Sequence, residues 1–111
     1  MVEVTQDILD EMVNTIVQAV DPEQIILFGS RVKGAEKSGS DIDLLIVESE
    51  PFDMTRSRRK EMAKIWHILA EFRIPKDILV YSRQEVEYWR DSINHVVARA
   101  LREGRVLYER F

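Results

Sequence analysis

The chain contains 111 residues, of which 45% are hydrophobic and 32% charged, a composition typical of a globular domain. It has no cysteine, which excludes disulfides and thiolate metal sites, and no apolar run near the roughly 20 residues that cross a bilayer. Its net charge of −4 argues against broad nucleic-acid binding, and its acidic N-terminus lacks the features of a signal peptide. We therefore expect one cytoplasmic domain over residues 1–111 without a membrane or nucleic-acid partner; whether it forms a homo-oligomer stays open.

The first forty residues predict a helix, a strand and a glycine-rich turn. Apolar residues recur every three or four positions and indicate an amphipathic helix over residues 6–20, with Thr5 as its N-cap. Pro22 ends this region, and a short apolar strand is predicted over residues 24–28. Residues 29–40 contain three glycines and little apolar material, so they predict a turn with at most one short helix.

The remaining elements predict a mixed sheet. A strand over 41–47 is followed by a helix over 54–72 and a third strand over 77–81. A capping box at Ser82 and Glu85 opens a helix that runs to about residue 103, and a short strand is predicted over 105–108. Strands one and two should be antiparallel, and strands two and three parallel with the 54–72 helix as the crossover. The fold class is therefore α/β (α+β in stricter terms), with helices packed against a mixed sheet.

Three carboxylates stand at predicted strand starts. Asp41 and Asp43 are two positions apart in a strand, so their side chains project to the same side. Two neighbouring carboxylates repel each other unless a positive group lies between them, and a hard divalent cation with a preference for oxygen would supply it. Asp77 opens the third strand. Taken singly, each of these residues could equally be an ordinary turn or strand-surface acid.

A glycine turn follows the first strand and suits a phosphate group. Gly29 allows the backbone to turn tightly and to lie close to a ligand, and Ser30 adds a hydroxyl beside exposed backbone N–H groups. Arg31 and Lys33 follow in the same turn, either as phosphate contacts or as solvated charges. A phosphate-binding turn beside metal-binding carboxylates is typical of enzymes that transfer phosphoryl or nucleotidyl groups.

In this combination the chain resembles the nucleotidyltransferase superfamily that includes DNA polymerase beta. Within that superfamily it is similar to the minimal nucleotidyltransferase (MNT) domains that are paired with HEPN-domain proteins. The likeness extends over essentially the whole chain, and the family pattern includes a third carboxylate, which Asp77 matches. The residues that carry the resemblance are Gly29-Ser30-Arg31, Gly34, Ser40-Asp41-Ile42-Asp43-Leu44 and Asp77.

The resemblance implies an enzyme that transfers a nucleoside monophosphate, AMP from ATP, to an acceptor hydroxyl by a two-magnesium mechanism. Asp41, Asp43 and Asp77 would be the catalytic and metal-binding residues, and Asp77 could also accept the proton of the attacking hydroxyl. The phosphates would be held by Gly29, Ser30, Arg31 and Lys33, although which of the two basic side chains points inward stays open.

The resemblance also implies an antitoxin in a toxin–antitoxin system, whose acceptor is a tyrosine of a HEPN-type toxin encoded nearby. The alternative is a weakly catalytic or non-catalytic antitoxin that binds nucleotide and neutralises its partner by stoichiometric contact. The intact set of three carboxylates favours the enzyme, because a pure binder gains nothing from clustered acids.

Several other side chains leave two interpretations open. The basic run of Arg56, Arg58, Arg59 and Lys60 is either a solvated helix face or a partner-binding or phosphate-steering surface. The two tryptophans are expected in or beside the core, with a protein interface as the alternative. The two histidines are predicted within helices, in structural or surface roles: His67 and His95.

Overall fold

A computed structural model describes residues 4–29 and 41–110. These residues form a mixed sheet with helices packed on both of its faces. The helices are α1 (Gln6–Val20), α2 (Arg58–Ile68), α3 (Arg83–Trp89) and α4 (Val96–Glu103), with a 3-10 turn at Ala70–Phe72. The strands are β1 (Gln24–Phe28), β2 (Ile42–Glu48), β3 (Lys76–Ser82) and β4 (Arg105–Glu109).

The sheet has the strand order β3-β2-β1-β4. β1 is antiparallel to both β2 and β4, and its pairing with β4 contains a register shift between Ile25 and Ile26. β2 and β3 are parallel, with α2 in the connection between them. The predicted α/β fold and the predicted strand directions are thus confirmed, and the end of β1 lies at the same edge of the sheet as the starts of β2 and β3.

Alternate residues of the central strands supply two hydrophobic cores. α1 and α2 pack on one face, where Ile25 and Leu44 are buried, and α3 and α4 pack on the other, where Ile26 and Leu45 are buried. The strands that are covered on both faces therefore read as continuous apolar runs rather than as alternating ones. None of the helices in the described ranges is long and apolar enough to cross a membrane.

α1 begins and ends as the local sequence predicts. The Thr5 hydroxyl accepts a hydrogen bond from the backbone N–H of Ile8 at 3.2 Å, which satisfies a donor of the first turn. Asp21 follows the last turn in a left-handed conformation, with φ of 46°, and its N–H donates to the Val17 carbonyl at 3.0 Å.

The helix predicted up to residue 103 is interrupted. α3 ends at Trp89, a loop covers residues 90–95, and α4 starts after His95, whose Nδ1 accepts from the Val97 N–H at 3.1 Å. His95 is therefore an N-cap and not a mid-helix residue. Ile93, which an uninterrupted helix would place on its buried side, lies in this loop and is 81% exposed.

The second predicted helix begins later than expected. Residues before Ser57 form a turn in which the Asp53 carboxylate accepts from the Thr55 N–H at 2.8 Å, and Ser57 caps α2. Arg56, just before this cap, turns back to the end of β2 and forms an ion pair with Glu48. The start of α2 thus coincides with the cap at Ser57, and the contact between Arg56 and Glu48 lies just before it.

Candidate active site

Gly29 and Asp43 meet at the edge of the sheet where β1 ends and β2 begins. The antiparallel register places Phe28 opposite Asp43, so Gly29 follows directly beside the carboxylate. Gly29 has a φ of +86°, a conformation that L side chains rarely adopt. A Cβ at Gly29 would stand 2.3 Å from Oδ2 of Asp43. The Asp43 carboxylate therefore packs against glycine backbone and fills the space of the missing side chain.

The parallel register between β2 and β3 brings a second carboxylate alongside. Asp43 pairs with Asp77, and the Ile42 N–H donates to the Pro75 carbonyl at 2.9 Å, which fixes the starts of both strands. Asp77 is exposed, and Asp41, also exposed, precedes β2 by one residue. The structure thus brings all three predicted carboxylates to the edge of the sheet that also holds Gly29.

Burial and neighbouring negative charges disfavour the ionised form of Asp43. Burial raises its pKa above the usual range, and the negative charges of Asp77 and then Asp41 raise it further. The ionised carboxylate is therefore disfavoured in the isolated chain. A cation at this edge of the sheet would relieve the repulsion.

The carboxylates fit a partial metal-binding set. Within residues 4–29 and 41–110 no group of three or more acidic or histidine side chains is close enough together to hold a metal ion by itself. Mg²⁺ commonly binds through one or two carboxylates, with water and substrate phosphates as its other ligands. The crowded Asp43, with Asp41 and Asp77 near enough to shift its pKa, provides such an incomplete oxygen set.

Three of the predicted phosphate-binding residues fall outside the described ranges. Ser30, Arg31 and Lys33 belong to residues 30–40, as do Gly34 and Ser40 of the family motif. Their roles stay predictions. Gly29 is the part of the predicted phosphate-binding turn that the structure describes.

Lys76 is a buried cation beside the site that the sequence pattern did not reveal. It is 7% exposed, its Nζ donates to the Ile74 carbonyl at 2.9 Å, and it lies 5.2 Å from the ring centre of Trp66. Burial lowers its pKa. Trp66, expected in or beside the core, is 42% exposed because it covers this lysine at the protein surface. The position after Pro75 at a strand start gives no local sign of burial.

The basic run lies away from the carboxylates. Arg56 pairs with Glu48 at the end of β2, and Arg58 donates to the Val80 carbonyl at 2.9 Å and pairs with Glu85. Both contacts lie at the edge of the sheet opposite Asp43. Arg56 and Arg58 therefore hold the fold together at that edge.

Comparisons with known proteins identify related domains. The profile of the nucleotidyltransferase domain family matches residues 9–107. A Haemophilus influenzae protein assigned as the protein adenylyltransferase MntA is 48% identical over 52 residues. That alignment covers 45% of this chain and 46% of the relative, so it spans about half the length of each.

Solved structures share the fold at low sequence identity. A protein from Sulfolobus solfataricus assigned as a nucleotidyltransferase superposes with a TM-score of 0.65 at 21% identity, over 92% of this chain and 78% of that one. A chain of the MntA–HepT toxin–antitoxin pair gives 0.58 at 17% identity, over 95% and 73%. A chain of a toxin–antitoxin structure with AMP-PNP gives 0.57 at 19% identity, over 90% and 73%. At such identities the likeness establishes the fold.

Proposed function

We propose that this protein, which belongs to the nucleotidyltransferase domain family, transfers AMP from ATP to a hydroxyl group of a protein acceptor. The observation that carries the proposal is the contact between Gly29 and Asp43, with Asp77 as the register partner of Asp43. One edge of the sheet thereby places glycine backbone, for phosphate, directly beside carboxylates, for cations. Without a ligand, the repulsion between neighbouring carboxylates would make this arrangement unfavourable.

The reaction forms one bond and breaks one. The acceptor oxygen attacks the α-phosphorus of ATP, the bond from that phosphorus to the bridging oxygen breaks, and pyrophosphate leaves. Asp41, Asp43 and Asp77 would hold two Mg²⁺ ions, which when bound neutralise phosphate charge and lower the pKa of the attacking hydroxyl. The exposed carboxylate of Asp77 takes up the proton that this hydroxyl releases.

Phosphate binding is assigned to the turn that begins at Gly29. Because Gly29 has no side chain, its backbone and the Asp43 carboxylate lie side by side, which would place phosphate and cation next to each other. Ser30 would donate from its hydroxyl and backbone, and Arg31 or Lys33 would add positive charge. These contacts keep the β- and γ-phosphates in place while the α-phosphate is attacked.

The acceptor that we propose is a tyrosine of a HEPN-type toxin encoded nearby, which the modification would neutralise. The names of the relatives support this choice, since one is assigned as a protein adenylyltransferase and structural neighbours are toxin–antitoxin pairs. A structural neighbour with AMP-PNP supports an adenine nucleotide as the donor. A tyrosine hydroxyl stands far from its own backbone and can reach a site at the edge of a sheet.

Mass spectrometry of the partner tests the proposal. After incubation with this protein, ATP and Mg²⁺, the neighbouring HEPN-type protein should gain the mass of one or more AMP groups, and the gain should disappear when the modified tyrosine is replaced by phenylalanine. A partner that gains no mass, yet is neutralised equally by wild type and by the Asp41→Asn/Asp43→Asn double variant, would establish the alternative of stoichiometric binding.

A further inference from the structure

Glu48, the last residue of β2, is buried at the edge of the sheet opposite Asp43. Its side chain lies on the face covered by α1 and α2, and the residue is 4% exposed. Oε1 forms an ion pair with Nη2 of Arg56. Oε2 has less than 1 Å² of accessible surface and no hydrogen-bond partner among the described residues. An ionised carboxylate oxygen in this position would be costly, since neither water nor a donor reaches it.

A second carboxylate shares the same arginine. Oε2 of Glu61, on α2, lies 3.7 Å from the Arg56 nitrogen that contacts Glu48. Two carboxylates thus meet at one nitrogen of a single guanidinium in a largely buried place. Burial, followed by the hydrogen bond and the negative charge of Glu61, raises the pKa of Glu48 to about 8, against the smaller lowering effect of Arg56. A proton on one carboxyl group lets that group donate a hydrogen bond to the other.

The surrounding charges do not remove the need for this proton. From the loop after β2, Glu50 approaches Nε of Arg56 at 3.7 Å with a side chain that is 80% exposed. Arg110 pairs with Asp21 at 3.1 Å. Glu48, Arg56 and Glu61 border a surface cavity, which Lys64 of α2 also lines. Lys64 forms no ion pair with Glu48 in the described part of the chain. A metal ion is not indicated either, because the described residues offer no third ligand here.

Glu48 and Arg56 also hold the loop that connects β2 to α2. We call residues 49–57 the strap. Arg56 donates to the Glu50 carbonyl at 2.7 Å, and the ring of Phe52 lies under the guanidinium groups of Arg56 and Arg58, with ring-centre distances of 4.3 and 5.1 Å. Arg56, whose buried partner is Glu48, is therefore one of the anchors of the strap. The others are Phe52, which packs against the core, and Ser49, which donates to Glu23 at 2.6 Å.

We propose that Glu48 and Glu61 share one proton, and that this proton latches the strap and the start of α2 to the sheet. Loss of the proton leaves two negative charges on one arginine, while Oε2 of Glu48 has less than 1 Å² of accessible surface. The strap then loosens while the sheet persists. The device uses neither nucleotide nor metal and stands apart from the proposed transfer reaction.

The direction of the pH effect follows from the raised pKa. The folded protein keeps the proton on Glu48 up to a pKa of about 8, whereas the unfolded chain releases it near the ordinary value of 4.5. The contribution of this proton to stability is complete below pH 4.5 and is lost as the pH rises through 8. Between these values one released proton increases the unfolding equilibrium constant by up to about tenfold per pH unit.

Denaturant unfolding over a pH series tests the latch. Wild type should lose stability as the pH rises from about 6 to about 8 and level off above that, and amide exchange in the strap should accelerate beyond the intrinsic effect of pH. Glu48→Gln imitates the protonated carboxyl, since its amide can donate to Glu61 and accept from Arg56, so its stability should stay level over this range. Glu50→Gln, which changes an exposed partner of the same arginine, should retain the wild-type decline.

A carboxyl ¹³C titration of the wild type gives an independent readout that does not require a folded variant. The Glu48 resonance should titrate near pH 8. A Glu48 resonance that titrates only below about pH 6, or a Glu48→Gln protein that declines with pH as steeply as Glu50→Gln, would overturn the shared proton.

Discussion

Gly29 and Asp43 depend on each other for space. The carboxylate occupies the volume that any side chain at position 29 would need, and the positive φ at Gly29 is itself unfavourable for other residues. Two separate penalties therefore act against substitution at this position, namely backbone strain and displacement of Asp43.

A double-mutant cycle separates these penalties. Gly29→Ala should destabilise the wild type by about 1–2 kcal/mol from backbone strain alone, with the clash against Asp43 added to it. In an Asp43→Ala background the strain remains and the clash is gone, so the same substitution should cost less. Urea unfolding of the four proteins measures the difference. Equal costs in both backgrounds would show that the contact with Asp43 contributes nothing.

Asp43→Asn should leave the metal-free protein at least as stable as wild type. The pKa of Asp43 is raised by burial and by its two acidic neighbours, so its favourable contribution is present below the unfolded pKa and is lost as the pH rises through the raised folded pKa. Removal of the charge therefore removes a cost at pH 7. Thermal melts in chelator check this, with Asp91→Asn, in an exposed loop, as the control. A lower melting temperature for Asp43→Asn alone would assign Asp43 a structural role.

At the scale of elements, a helix boundary can be predicted when residues in the local sequence set it. α1 matches its prediction because Thr5 caps it and Asp21 and Pro22 end it, all within the local sequence. The break after Trp89 could not be predicted in this way. It is held by Arg102, which donates to the Ser92 and Ile93 carbonyls at 3.3 Å, and histidine is not a usual N-cap. The break between α3 and α4 thus depends on contacts between residues that are distant in the sequence.

The same distinction applies to the site. The strand directions are predictable because Gly29 and the carboxylates must reach one ligand and because a helix connects the second and third strands; both directions are confirmed. The burial of Lys76 and the pairing of Glu48 with Arg56 depend on which helix surface covers each strand end. No spacing rule in the sequence encodes that.

Arg58 and Arg59 are adjacent and should behave differently. Arg58 binds the Val80 carbonyl and Glu85 and packs over the rings of Phe52 and Tyr81, so Arg58→Ala should cost about 1–3 kcal/mol. Arg59 is exposed on the first turn of α2, and Arg59→Ala should change stability little.

Denaturant unfolding compares the two variants, and ATP titrations in Mg²⁺ provide the functional control. Both should bind Mg²⁺–ATP like wild type, because this part of α2 lies at the sheet edge opposite Asp43. A large loss of ATP affinity in a folded Arg58→Ala protein would contradict this and would indicate that the basic run contributes to phosphate binding.

At the scale of the whole molecule, the two edges of the sheet have different electrostatics. The edge with Gly29 concentrates carboxylates without a buried cation paired to them in the described residues, whereas the opposite edge joins acids and arginines in ion pairs. The family predicted from the sequence is confirmed by the profile match over residues 9–107. The unbalanced edge holds the described acidic residues of the family motif and Gly29.

This imbalance predicts that Mg²⁺ and ATP bind together. Each ligand alone meets half a site, since ATP faces the repulsion of the carboxylates and Mg²⁺ lacks the phosphate oxygens that complete its shell. Calorimetry should give a much higher affinity for ATP in Mg²⁺ than in chelator. An equal affinity in both would refute a shared site.

The most direct measurement follows the α-phosphate itself. ATP labelled at the α-phosphorus should transfer its label to the partner protein in Mg²⁺ with wild type and with the surface control Asp91→Asn. Folded Asp43→Asn should transfer none, because it lacks the carboxylate that lies between Gly29 and Asp77 and that we propose as a metal ligand. Transfer by Asp43→Asn at the wild-type rate would contradict the assignment of the reaction to this edge of the sheet.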